Sequence, residues 1–315
     1  MVMRSLIKAN ELALMIQQRV PMYILDAGCL IPGVPGNSKE EHFKTRIPGA
    51  KFFDVDDIVD KSSDLPHMLP SNEDFKEFMK KLKVKKDNNL VVCYDRLGCI
   101  SSPRAWYTFK VFGRENVAVL DGGLPKWLEL NLPTESGEYE IYQYPSAEED
   151  SEYNYSKDES KVKNLGYVKL ISALLSGQTP QSLTQIVDAR PPARFAGAAD
   201  EPRPGVRPGN VPGSINVPFK NLFNKDQTFK TPEELTKVYE DSGVNLDQDR
   251  PVVHLCGSGV TACINILGME LIGKSGNLLY DGSWTEYGSV IEEETRPNPK
   301  AILERAYEED LKRKQ

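Results

Sequence analysis

Cys256 closes a β-branched run in "PVVHLCGSGVTACINILGMEL" (251–271), and Gly257, Ser258, Gly259, Val260 and Thr261 follow at once. A thiol at such a point has two uses. Buried, it packs as a small hydrophobe. Held in a loop of small residues between a strand and a helix, it becomes a nucleophile. Two glycines let successive backbone N–H groups turn inward as an anion-binding nest, and the following helix adds N-terminal amides and partial positive charge. Both features favour the thiolate, which is the reactive form. A phosphatase built on such a cysteine needs Cys-x5-Arg to clamp phosphate, but six residues after Cys256 stands Ala262. Cys263 falls two turns into the expected helix, where packing is its expected role.

Other residues could serve the same chemistry. The loop "DARPPARFAGAADEPRPGVRPGNVPG" (188–213) carries Arg190, Arg194, Arg203 and Arg207 after a strand end. A guanidinium fork suits a planar carboxylate better than the point charge of lysine. His67, in "KSSDLPHMLP", is by itself a structural histidine as readily as a catalytic one. The five cysteines (29, 93, 99, 256, 263) include no CxxC, and the three histidines (42, 67, 254) lie at no zinc spacing. That argues against a disulfide scaffold and structural zinc and points to free thiols in a reducing compartment. No metal or cofactor is expected.

Composition narrows the partners. At 39% hydrophobic and 27% charged the chain reads as an ordinary globular protein, and its net charge of −7 argues against a generic nucleic-acid or anionic-membrane surface. No apolar run approaches the roughly 18–20 residues that span a bilayer. In "MVMRSLIKANELALMIQQRV", Leu6, Leu12, Leu14 and Ile16 read as a short docking helix with no signal-peptide core, and a transit peptide would be richer in Arg and Ser. The expected location is the cytoplasm, with a mitochondrial pool compatible.

The elements that position these residues occur twice. "YILDAG" (23–28) matches "QIVDAR" (185–190), "RIPGAKFFDVDDI" (46–58) matches "NVPGSINVPFKNL" (210–222), "LVVCYDRLG" (90–98) matches "PVVHLCGSG" (251–259), and "AVLDGGLPKW" (118–127) matches "NLLYDGSWTEY" (277–287). Asp26 and Asp188 stand 162 apart, Gly49 and Gly213 164, Asp95 and Cys256 161. So steady an offset marks a duplicated domain. In each half short β-branched strands alternate with helical segments, among them 72–83, 103–112, 232–242 and 261–272. This predicts an α/β fold, a parallel sheet covered by helices on both faces in each half. The expected domains are 1–135, in which Asp95 replaces the cysteine, an acidic linker 136–165, a catalytic domain 166–295 and a tail 296–315 that could form a solvated helix. Trp127 and Trp284 are expected in core or cleft lining.

The duplicated halves, the strand–Cys–GSGVT–helix loop and the aspartate in place of a first cysteine together resemble the tandem rhodanese-domain sulfurtransferases, over roughly residues 6–295. Within that family "CGSGVT" is similar to the loop of the mercaptopyruvate branch. The resemblance implies ping-pong transfer: the Cys256 thiolate takes sulfane sulfur from 3-mercaptopyruvate as a persulfide and passes it to an acceptor thiol, such as thioredoxin or a small thiol, or to cyanide. It further implies that Arg194 and Arg203 hold the substrate carboxylate and keto oxygen, that Gly257, Gly259, Val260 and Thr261 line the substrate loop, and that Asp56 and His67 line up with Ser258 in a proton relay crossing from one domain to the other. Arg46 and Asn210 stand where the family often has histidine. Two alternatives remain within this class. Rhodaneses proper resemble "CRKGVT", with cations for dianionic thiosulfate, whereas Gly257 and Ser258 are uncharged and suit a monoanionic donor. A protein-to-protein sulfur relay toward tRNA thiolation would use the same loop.

Overall fold

The computed structural model describes residues 4–29, 36–138, 150–176 and 184–290. The middle of the acidic linker and the expected tail helix lie outside the described residues. The chain forms two compact units, residues 1–158 with 223–230, and residues 159–222 with 231–315.

The first unit runs β1 (Leu6–Ile7), α1 (Ala9–Gln17), β2 (Met22–Asp26), α2 (Ser38–Lys44), β3 (Lys51–Phe52), α3 (Asn72–Leu82), β4 (Leu90–Tyr94), α4 (Ser102–Val111), β5 (Val117–Leu120) and α5 (Gly123–Glu129). The second runs β6 (Val162–Lys163), α6 (Leu165–Ser176), β7 (Gln185–Asp188), α7 (Pro192–Phe195), β8 (Ile215–Asn216), α8 (Pro232–Asp241), β9 (Val252–Leu255), α9 (Ala262–Leu271), β10 (Asn277–Tyr280) and α10 (Ser283–Ser289). Each sheet has five strands, in the order β1-β5-β4-β2-β3 and β6-β10-β9-β7-β8. The pairings between these strands are parallel. The two orders are one order written twice, as the internal repeat requires. Parallel neighbours need crossovers, and helices supply them.

Local chemistry accounts for the elements. β5, β7 and β9 bury every residue, the mark of strands covered on both faces. Even His254, inside β9, is fully buried; burial pushes its imidazole down to about 4, and its Nε2 lies 3.1 Å from Asn277 Oδ1. α8 begins with a reciprocal capping box between Thr231 and Glu234 and buries Leu235 and Tyr239, one turn apart on one face. α4 and α9, each following a central strand, are buried along nearly their whole length. The four predicted helical segments fall within a residue of α3, α4, α8 and α9.

The N-terminal expectation is corrected. Leu6 lies in the edge strand β1, in register with Val119 of β5, and is not part of a docking helix. α1 buries Ala9 and Leu12 in the core of the first unit and leaves Leu14 51% exposed. A two-residue strand has no periodicity of its own; only its partner defines it. Trp127 and Trp284 are both core residues, as expected.

Candidate active site

β9 is the middle strand of its sheet, and Leu255 pairs with Asp188 of β7. Cys256 therefore leaves the sheet one residue beyond that pair. From β7 the chain passes outward to β8; from β9 it passes the other way to β10. The loops after β7 and β9 part at this switch point, where open α/β sheets form ligand crevices. Cys256 is 2% exposed at the base of the loop, with Gly257 and Thr261 half-buried around it.

The two glycines of the loop have different jobs. Gly259 has φ +79°, a left-handed turn that a side chain would strain. Gly257 is outside that region. What Gly257 provides is space: a Cβ on it would stand 3.1 Å from Arg194 Nη2 and 3.9 Å from Arg203 Nη1. Both predicted arginines thus reach the cysteine loop. Arg203 Nη2 also donates to Ser258 Oγ at 3.5 Å, and Ser258 is buried. The loop's own side chains are uncharged, as read from the sequence, but its surroundings are cationic.

Glu201, which sequence reasoning passed over, organises these cations. Arg194 donates to it through Nε at 3.2 Å and through Nη2, and Arg190 Nη1 donates at 2.8 Å. Arg190 in turn donates to both oxygens of Asp188 through Nε at 3.1 and 3.0 Å, and to Gly209 O at 2.8 Å. Its guanidinium lies 4.5 Å from the ring centroid of Trp284. Burial pushes the Asp188 carboxyl up, and Arg190 pulls it the other way. The result is an alternating chain, Asp188–Arg190–Glu201–Arg194. Arg190 thus pairs with two buried acids, whereas Arg207 donates to Val290 O and lies over Trp284. The only sequence signal for Glu201 was an acid among four arginines in a proline-rich loop.

The first unit repeats the loop with a carboxylate in place. Asp95 is fully buried and accepts from the backbone N–H of Leu97 (2.9 Å), Ser101 (3.1 Å) and Ser102 (2.9 Å), and from Ser102 Oγ (2.7 Å). A strand-to-helix loop of this build therefore seats an anionic group on backbone amides. His67 and Asp56 also belong to the first unit. His67 Nε2 lies 2.9 Å from Asp56 Oδ1, and His67 has φ +61°, a strained backbone at a predicted functional residue. Its carbonyl accepts from Arg104 Nη2.

Burial works against the thiolate at three of the other cysteines. Burial pushes the Cys29 thiol up to about 12 and raises those of Cys93 and Cys99. Cys263 is packed, its thiol donating to Gly259 O at 3.3 Å. Among the described residues no group of three or more His, Cys, Asp or Glu side chains is placed to hold a metal ion, and no helix is long and apolar enough to cross a membrane.

The rhodanese-like domain model matches the chain twice, over residues 9–130 and 169–289, and the chain belongs to that family. Within it, the chain is 39% identical to 3-mercaptopyruvate sulfurtransferase of Escherichia coli K12 over 84% of this chain and 89% of that one. It is 37% identical to the human protein of the same name over 85% of each. Among solved structures it is similar to SseA from Escherichia coli, a 3-mercaptopyruvate sulfotransferase, with a TM-score of 0.76 and 35% identity over 89% of this chain and 99% of that one. It is also similar to the Tum1 protein of Saccharomyces cerevisiae, with a TM-score of 0.79 and 30% identity over 91% and 95% of the two chains.

Proposed function

We propose that this sulfurtransferase moves sulfur from 3-mercaptopyruvate through a Cys256 persulfide to an acceptor thiol or cyanide, releasing pyruvate. The observation that carries this reading is the meeting of Arg194 and Arg203 at Gly257, beside Cys256. Two guanidinia at one edge of a nucleophile suit an α-keto acid, whose carboxylate and keto oxygen accept from planar forks. The Cys256 thiolate attacks the donor sulfur, the carbon–sulfur bond breaks, and its electron pair leaves as pyruvate enolate. Ser258 supplies the proton that converts enolate to pyruvate. Backbone N–H groups of the loop from Gly257 through Gly259 and Val260 to Thr261 seat the sulfur anion, a role supported by the amides around Asp95. An acceptor thiolate then attacks the outer sulfur and regenerates the Cys256 thiolate. Thioredoxin and small thiols have the required chemistry as acceptors, and the reaction belongs to a reducing compartment, the cytoplasm.

In domain terms, residues 1–135 form the non-catalytic half, 136–165 the linker, 166–295 the catalytic half and 296–315 a tail. The test compares kcat/KM for mercaptopyruvate and thiosulfate with one acceptor, and maps added sulfur by mass spectrometry. Mercaptopyruvate should be the better donor, with one sulfur on the Cys256 peptide and none in Cys256→Ser. Sulfur on Cys93, Cys99 or Cys263 instead, or equal use of thiosulfate, would sink the proposal.

A further inference from the structure

Ser283 holds a backbone conformation that suits glycine. Its φ is +53°, and it is completely buried. Residues other than glycine occupy this region under strain, and they persist there when the surroundings hold them. At the corresponding place the first unit has Gly123, with φ +54°, in Asp121-Gly122-Gly123-Leu124 against Asp281-Gly282-Ser283-Trp284. A Cβ on Gly123 would overlap the carbonyl oxygens of Gly98 and Asp95. So the unit with Asp95 has no room for a side chain here, and the unit with Cys256 carries one despite the strain.

The hydroxyl has a defined task. Ser283 Oγ accepts from the Cys256 N–H at 3.2 Å and donates to Tyr280 O at 2.9 Å, bridging the ends of β9 and β10. The next residues continue the grip. Trp284 N donates to Cys256 O at 3.0 Å, and Thr285 donates to Gly257 O from its N at 2.9 Å and its Oγ1 at 2.6 Å. In a trans peptide the carbonyl and the following N–H point opposite ways. Carbonyls of Cys256 and Gly257 turned toward α10 therefore turn the N–H groups of Gly257 and Ser258 away from it. The first unit keeps one of the two backbone bonds of this arrangement, Leu124 N donating to Asp95 O at 2.8 Å, but Pro125 stands in the place of Thr285 and Gly123 offers no hydroxyl.

We propose that Ser283 is a positioning residue for sulfur transfer: its hydroxyl fixes the Cys256 peptide, and with it the direction in which the thiol is presented. This role rests on Cys256 being the residue that accepts sulfur. Ser283→Gly removes the hydroxyl and relieves the backbone, whereas Ser283→Ala removes the hydroxyl and keeps the strain. In the full chain, amide hydrogen exchange at Cys256 should quicken about tenfold or more in both variants, while exchange within β7 stays unchanged. Single-turnover loading of Cys256 from mercaptopyruvate should slow about tenfold in both, equal to about 1.4 kcal/mol of barrier, with KM within about twofold. Ser283→Gly should melt no lower than Ser283→Ala, which separates positioning from a general loss of stability. Wild-type loading rates in both variants, or unchanged exchange at Cys256, would overturn the role. A wild-type protein that loads no sulfur on Cys256 would instead remove the nucleophile, and the positioning role would fall with it.

Discussion

Arg194 and Arg203 reach the same glycine with different obligations. Arg194 is paired with the buried carboxylate of Glu201, and Arg203 Nη2 reaches the hydroxyl of Ser258. If the two hold the donor as proposed, replacing either with alanine removes a charge-assisted hydrogen bond to it, which costs about 1.5–3 kcal/mol, or about 10- to 150-fold in kcat/KM. The stability effects should differ. Arg194→Ala leaves Glu201 in its buried seat held by Arg190, and loss of one member of a part-buried pair should cost about 1–3 kcal/mol. Arg203→Ala leaves Glu201 with both of its arginines and should lower thermal stability less. Steady-state kinetics and melting curves on the two variants check this; equal melting temperatures would mean that Glu201 does not depend on Arg194. Both arginines were legible in the sequence through the resemblance. Glu201 was not, because its meaning comes from a loop that folds back to bring positions 190, 194 and 201 together.

At the scale of elements, the cysteine loop is a strand end, a left-handed turn and a helix start, and its two glycines should respond oppositely to alanine. Gly259→Ala places a Cβ at φ +79° and should cost about 1–2 kcal/mol of stability. Gly257→Ala meets no such backbone penalty, but its Cβ must push the end of Arg194 aside. It should raise KM for mercaptopyruvate by about 3- to 10-fold with little change in melting temperature, since about 1.4 kcal/mol of lost binding is tenfold. A Gly257→Ala protein with wild-type KM would show that Arg194 binds the donor from another position. Helices α3 and α8 were readable to within a residue because their side-chain caps and apolar spacing are local signals. β1 was not, since two residues become a strand only when β5 lies beside them. The bridge from Ser283 to Cys256 was hidden for the same reason: it joins the ends of two strands far apart in sequence.

For the molecule as a whole, duplication was the most legible property, because each half had to keep the same anchors for the same sheet order. What each half then does with its central loop depends on charge, and here the alternating chain behind Cys256 has a consequence in solution. Asp188, Arg190, Glu201, Arg194 and Arg203 together carry a surplus of about one positive charge, in a chain of formal charge −7. A donor anion thus approaches a weakly repelling protein and meets a short-range attraction of similar size. Mobile ions screen both, with a Debye length of about 10 Å at 0.1 M. Between about 0.05 and 0.5 M salt, kcat/KM for mercaptopyruvate should change by less than about threefold. A fall of about tenfold would mean that the guanidinia act at long range as separate charges. If the dependence is shallow, the enzyme draws its donor in by contact and not by steering, and its efficiency at low donor concentration is indifferent to the ionic strength around it.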